Sequence, residues 1–150
     1  MGDKRRESLD RRLSMKASDV SLILTTTQGD FTQLDVPQLY VEIQSHRASL
    51  ERSMSRQISF EDALYSWMEN IYHPIMDQVK ENMKVRIASS GKRLAEAYFD
   101  IYELAQENDF RDIPEAVQRY VDENGKSIFD FMLAMLHLKR MNEQKQKEAI

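Results

Sequence analysis

The chain has 150 residues, 41% hydrophobic and 31% charged, with a formal net charge of −4 and no cysteine. That length suits one domain able to bury roughly two thirds of the surface its unfolded form exposes. The missing cysteines exclude a thiol nucleophile, a thiolate metal site and a disulfide framework, and four glycines with three prolines favour long helices.

Residues 1–19 carry six basic side chains (Lys4, Arg5, Arg6, Arg11, Arg12, Lys16) against four acidic ones (Asp3, Glu7, Asp10, Asp19), a balance of +2 that leaves −6 for the remainder. Lacking a periodic apolar face, this segment reads as a flexible, disordered basic tail. No apolar core follows it at the spacing of a secretory signal, so a cytoplasmic location is expected. Val20 to Phe31 (VSLILTTTQGDF) is rich in β-branched residues and closes on Gly29 and Asp30, which predicts a short β arm over 20–31 within an extended arm or linker over 20–34.

From Asp35 onward the signals are helical, and residues 35–150 read as a single helical domain. Asp35 is a candidate N-cap with Pro37 in the first turn, and Leu39, Ile43, Leu50 and Met54 mark the buried stripe. Ser59 caps a second helix through Phe60, Leu64, Trp67, Ile71, Ile75, Val79 and Met83, in which Pro74 predicts a kink near Glu69 to His73. Ser89, Ser90 and Gly91 break the chain before a third helix bearing Leu94, Tyr98, Ile101 and Ala105. Asp112 and Pro114 open a fourth, which Asn124 and Gly125 end, and Ser127 caps a fifth. The fold class is therefore all-α, a helical bundle of about five helices.

The fifth helix is apolar almost all round from Ile128 to Leu138 and polar beyond Lys139. It is about half the length of a bilayer-spanning helix and contains Asp130 and His137, so no membrane contact is expected. A helix apolar on every side must be covered on every side, within its own bundle or between subunits.

Tyr40, Glu42 and Ile43 recur in type as Tyr98, Asp100 and Ile101, and Asp62, Ala63 and Trp67 as Glu115, Ala116 and Tyr120. Duplication and two helix hairpins obeying the same packing rules both account for this order. Trp67 to Pro74 (WMENIYHP), the Tyr98 to Glu103 helix and Asp112 to Val121 (DIPEAVQRYV) together resemble an uncharacterised bacterial helical domain of unknown function, found after lipopolysaccharide-kinase-like modules. The resemblance covers about a third of the chain and departs from that domain at Leu104, where a histidine is expected, and in a shortened turn after Ile113. It implies a bacterial helical accessory domain and carries over no catalytic residue.

Candidate metal ligands are Glu42 with His46 and Glu69 with His73, each pair spaced four apart. Helical di-metal sites use a three-residue Glu to His spacing with further carboxylates, so no metal is expected. No nucleophile sits in a recognisable turn, Gly91 and Lys92 do not make a phosphate loop, and neither catalysis nor a cofactor is expected. The leading expectation is a non-catalytic protein-interaction or oligomerisation module, a homo-oligomer joined through Ile128, Phe131, Met132, Met135 and Leu138 of the last helix. The first alternative is a nucleic-acid-associated regulator whose Arg5, Arg6, Arg11 and Arg12 contact phosphate. The second is a helical binder of a metal or small ligand.

Overall fold

The computed structural model describes residues 15–149. Residues 1–14 and 150, and with them Arg5, Arg6, Arg11 and Arg12, lie outside the described residues, as do the side chains of Lys126, Ser127, Ile128 and Phe131. Among the described residues the fold is all-α, with no strand. Its helices are α1 (Ala17–Thr26), α2 (Val36–Met54), α3 (Phe60–Trp67, Met68–Tyr72 and His73–Glu81 in one continuous run), α4 (Met83–Ala88), α5 (Leu94–Gln106), α6 (Ile113–Glu123) and α7 (Gly125–Glu148). The chain divides into two compact units, the first ending at Pro74 and the second beginning at Ile75, so the division falls inside α3.

Among the described residues seven helices stand where about five are read from sequence, for two local reasons. The first is α1, which occupies the segment expected to be a β arm and starts inside the segment expected to be tail. Its three consecutive threonines turn their hydroxyls onto the carbonyls one turn back: Thr25 to Ser21, Thr26 to Leu22 and Thr27 to Ile23, each at 2.8 Å. These bonds satisfy the polar side chains within the helix, while burial of Ile23 and Thr27 outweighs the weak β preference of the residues. Gln28 (φ 51°) and Gly29 (φ 82°) then take left-handed backbone and end the helix, the conformation glycine adopts without steric cost.

The second reason is Asn82, which ends α3 early and caps α4, its Oδ1 accepting from the Lys84 amide at 3.0 Å. Expected caps hold at Ser59, whose Oγ accepts from the Asp62 amide at 3.1 Å, and at Asp112, which accepts from the Glu115 amide at 3.0 Å. Asp35 differs: its carboxylate turns back to accept from the Thr32 amide at 2.8 Å instead of capping α2. Likewise α7 begins at Gly125, two residues before the expected cap at Ser127.

In the first unit α2 packs against α1 and against the opening segment of α3. Its core holds Ile23, Phe31, Leu39, Ile43, Leu64, Trp67, Ile71 and Tyr72, all buried. The expected distortion before Pro74 takes a definite form, a π-turn over Met68–Tyr72 in which the His73 amide bonds the Met68 carbonyl five residues back. Proline has no amide to give the carbonyl of Asn70, and its ring would collide with that carbonyl in a regular α-helix. Widening the turn by one residue relieves the collision.

The π-turn also shapes the core. Residues five apart stand roughly 140° apart around an α-helix and do not face each other. Five-residue hydrogen bonding brings them into line, and Trp67 stacks on Tyr72 with ring centroids 5.4 Å apart and planes at 23°. The Tyr72 hydroxyl then reaches the Thr27 carbonyl at 3.3 Å and donates to the Asp30 carboxylate, fastening the turn after α1.

In the second unit α6 packs against α5, α4 and α7, and α7 also meets α4. Ala97, Tyr98, Ile101, Tyr102, Val117 and Tyr120 are buried in it. Past these contacts the last helix runs on as a 24-residue element.

Candidate functional site

A polar group joins α2 to α3 beside the π-turn. His46, on α2, is half-buried, and its Nε2 lies 2.8 Å from the Ser66 hydroxyl on α3. Asn70 Nδ2, one turn on from Ser66, donates to the Ser66 carbonyl at 2.8 Å and meets its hydroxyl at 3.3 Å. A side-chain amide thus covers a carbonyl in the segment where the helical ladder changes register. The sequence points to His46 and, beside the kink at Pro74, to Asn70, but not to Ser66, whose approach to His46 on another helix no local spacing reveals.

Burial holds the His46 imidazole below its ordinary value of 6.5, so the fold favours the neutral ring. The unfolded chain therefore takes up this proton first as pH drops. The stability contributed by neutral His46 is complete above about pH 6.5 and is lost as pH falls toward the lowered folded value. Between about pH 7.5 and about pH 5.5 the melting temperature of wild type should consequently fall further than that of His46→Asn. Equal falls in the two proteins would show that His46 carries none of the acid sensitivity.

The other metal candidates differ in burial. Glu42 is buried at 4% exposure, whereas Glu69 and His73 are exposed, with the His73 ring 4.9 Å from that of Tyr72. Among the described residues no group of three or more His, Asp or Glu side chains could hold a metal ion. A second polar feature, between α5 and α6, is a groove of about 550 Å³ lined by Asp100, Glu103, Glu107 and Glu123 together with Arg119. Arg119 bonds Glu107 at 2.6 Å and approaches Glu123 at 3.8 Å, and Lys92 bonds Asp100 at 2.9 Å, so much of its acidity is neutralised from within.

The largest departure from an ordinary surface lies on α7. Seven large apolar side chains there stay in contact with solvent: Met132, Met135 and Leu138 of the expected interface, and also Phe129, Leu133, Leu136 and Met141. Their exposures run from 42% at Met141 to 64% at Phe129. Single exposed apolar residues are ordinary, but seven within four turns of one helix make a continuous patch. The expected contacts at Ile128 and Phe131 lie outside the described side chains. Phe129, Leu133 and Leu136 were legible only as members of an all-round apolar run, since its periodicity selects no face. Among the described residues no helix is long and apolar enough to cross a membrane. No protein family, curated protein or solved structure matches this chain.

Proposed function

We propose that this chain is a non-catalytic, cytoplasmic protein-interaction module that binds through the apolar stretch of α7. The observation that carries the reading is the set of seven large apolar side chains left 42% to 64% open to solvent on a helix that is not apolar enough to span a membrane. Covering such a set against another protein removes it from water, at roughly 25 cal/mol for each Å² of apolar surface. Three of the seven are methionines, whose unbranched side chains adapt to the shape of a partner.

Self-association is the simplest form of this function. Sedimentation equilibrium at tens of micromolar should show a dimer or larger species. Leu133→Glu with Leu136→Glu should raise its dissociation constant about a hundredfold, the equivalent of roughly 3 kcal/mol, by carrying two charges into a drying contact. Because both leucines are exposed in the single chain, helix content and melting temperature at low concentration should stay as they are. A wild type that remains monomeric across that range would remove the support for self-association.

A further inference from the structure

The groove between α5 and α6 lies wholly within the second unit and is independent of the apolar patch on α7. We propose that it binds an aliphatic polyamine, with ammonium groups along the acidic row of α5 and one of them against the hydroxyl of Tyr120.

The row is the first support. Asp100, Glu103 and Glu107 follow one another at three and four residues, which sets them on one face of α5 over a length of roughly 10 Å. Glu123 adds a fourth carboxylate from α6. Against these four stand Arg119 and the Lys92 ammonium bonded to Asp100, which leaves two negative charges uncompensated. Glu103 is exposed and, among the described residues, has no ion-pair partner. No three of the described acidic or histidine side chains are grouped to hold a metal ion. Negative charge spread along a line instead of gathered at a point suits several ammonium groups joined by methylenes.

Tyr120 supplies the second, independent observation. It is 2% exposed and forms part of the groove wall, yet its buried hydroxyl makes no hydrogen bond among the described residues. A buried hydroxyl without a partner costs the fold free energy that a polar group brought by a ligand restores. Burial pushes the phenol above its ordinary value of 10.0, outweighing the opposite pull of Lys92, so the group stays a neutral hydroxyl with lone pairs for an ammonium N–H.

Lys92 shows which chemistry the place accepts. Its Nζ bonds Asp100 at 2.9 Å and stands 5.8 Å from the centroid of the Tyr120 ring, so a primary ammonium is already held between a groove carboxylate and an aromatic face. Tethered to its own backbone, this ammonium stops short of a hydrogen bond to the Tyr120 hydroxyl. A ligand ammonium has no such tether; it displaces the exposed Lys92 side chain and completes the contact.

The test uses the full chain, titrated with spermidine in a calorimeter at low salt. Saturable one-to-one binding is expected, weakening as salt is raised. Glu103→Gln should weaken it about fivefold and Lys92→Ala should tighten it about threefold, since the first removes a carboxylate and the second a competing ammonium. Tyr120→Phe separates a ligand contact from a structural one. It should weaken binding about threefold or more while the melting temperature of the free protein stays level or rises, because the fold loses only an unsatisfied hydroxyl. Hexamethonium, which matches the charge and spacing of hexamethylenediamine but has no N–H, should bind far more weakly than that diamine. Absence of saturable heat with spermidine, wild-type affinity in both Glu103→Gln and Tyr120→Phe, or equal binding of hexamethonium and the diamine overturns the site. An oligolysine peptide that binds where spermidine does not would overturn the small ligand in favour of lysines on a protein partner.

Discussion

Replacing Trp67 by alanine should destabilise the first unit by about 3–5 kcal/mol, the cost of emptying a fully buried indole site in a close-packed core. Trp67 has no exposed surface, and its neighbours along α3, Ala63 and Leu64, are equally buried, so no nearby side chain is free to swing into the space. The loss includes the stack on Tyr72, an aromatic contact contributing about 0.5–1.5 kcal/mol beyond its buried area. A folded unit of this size has only roughly 4–10 kcal/mol to lose. Urea denaturation followed by circular dichroism is the appropriate measurement, because Trp67 is the only tryptophan and its removal takes the fluorescence signal with it. The midpoint should fall by roughly 2 M. Trp67→Phe, which keeps an aromatic face for Tyr72, should lose distinctly less. A loss below about 1 kcal/mol in the alanine variant would mean that the indole does not organise this core.

The stack shows where sequence reading succeeds and where it stops. That Trp67, Ile71 and Tyr72 lie on the buried side of one helix, and that Pro74 disturbs it, follows from apolar spacing and the chemistry of proline alone. Whether the disturbance is a bend or a π-turn depends on how the chain relieves the clash at Asn70, and this is decided by packing across the unit. Only the π-turn lets residues five apart stack, while the contact of Ser66 with His46 depends on how α2 packs against α3. The polar group at this turn is visible in sequence as His46 and Asn70, without the Ser66 that joins them.

The misreading of α1 has a related origin. A run such as Ile23, Leu24, Thr25, Thr26 and Thr27 has the composition of a strand, and composition is a sound guide when side chains are sorted by local preference. Here the preference is worth less than burying Ile23 and Thr27 against the rest of the unit, and the threonine hydroxyls find acceptors on their own helix. In α7 the limit is different: hydrophobicity all round the helix selects no face from the sequence alone.

The attachment of α1 gives the second large effect. The Tyr72 hydroxyl is shared between the Asp30 carboxylate and the Thr27 carbonyl at 3.3 Å, and the Phe31 ring lies 5.9 Å from the Tyr72 ring. Tyr72→Phe keeps both ring contacts and removes only the hydroxyl. Because a hydrogen bond to a charged group contributes about 1.5–3 kcal/mol, the variant should lose that amount in urea denaturation. Asp30→Asn tests the same bond from its other end. If the two changes act on one interaction, the double variant should be less destabilised than the sum of the singles by about 1 kcal/mol or more, whereas additive losses would separate the residues energetically. Hydrogen exchange supplies the structural reading. Amides of α1 should exchange faster in Tyr72→Phe while those of α2 keep their protection, since the bond fastens the turn that follows α1 and not the centre of the core. Uniform loss of protection across both helices would instead place the hydroxyl bond in the cooperative core of the unit.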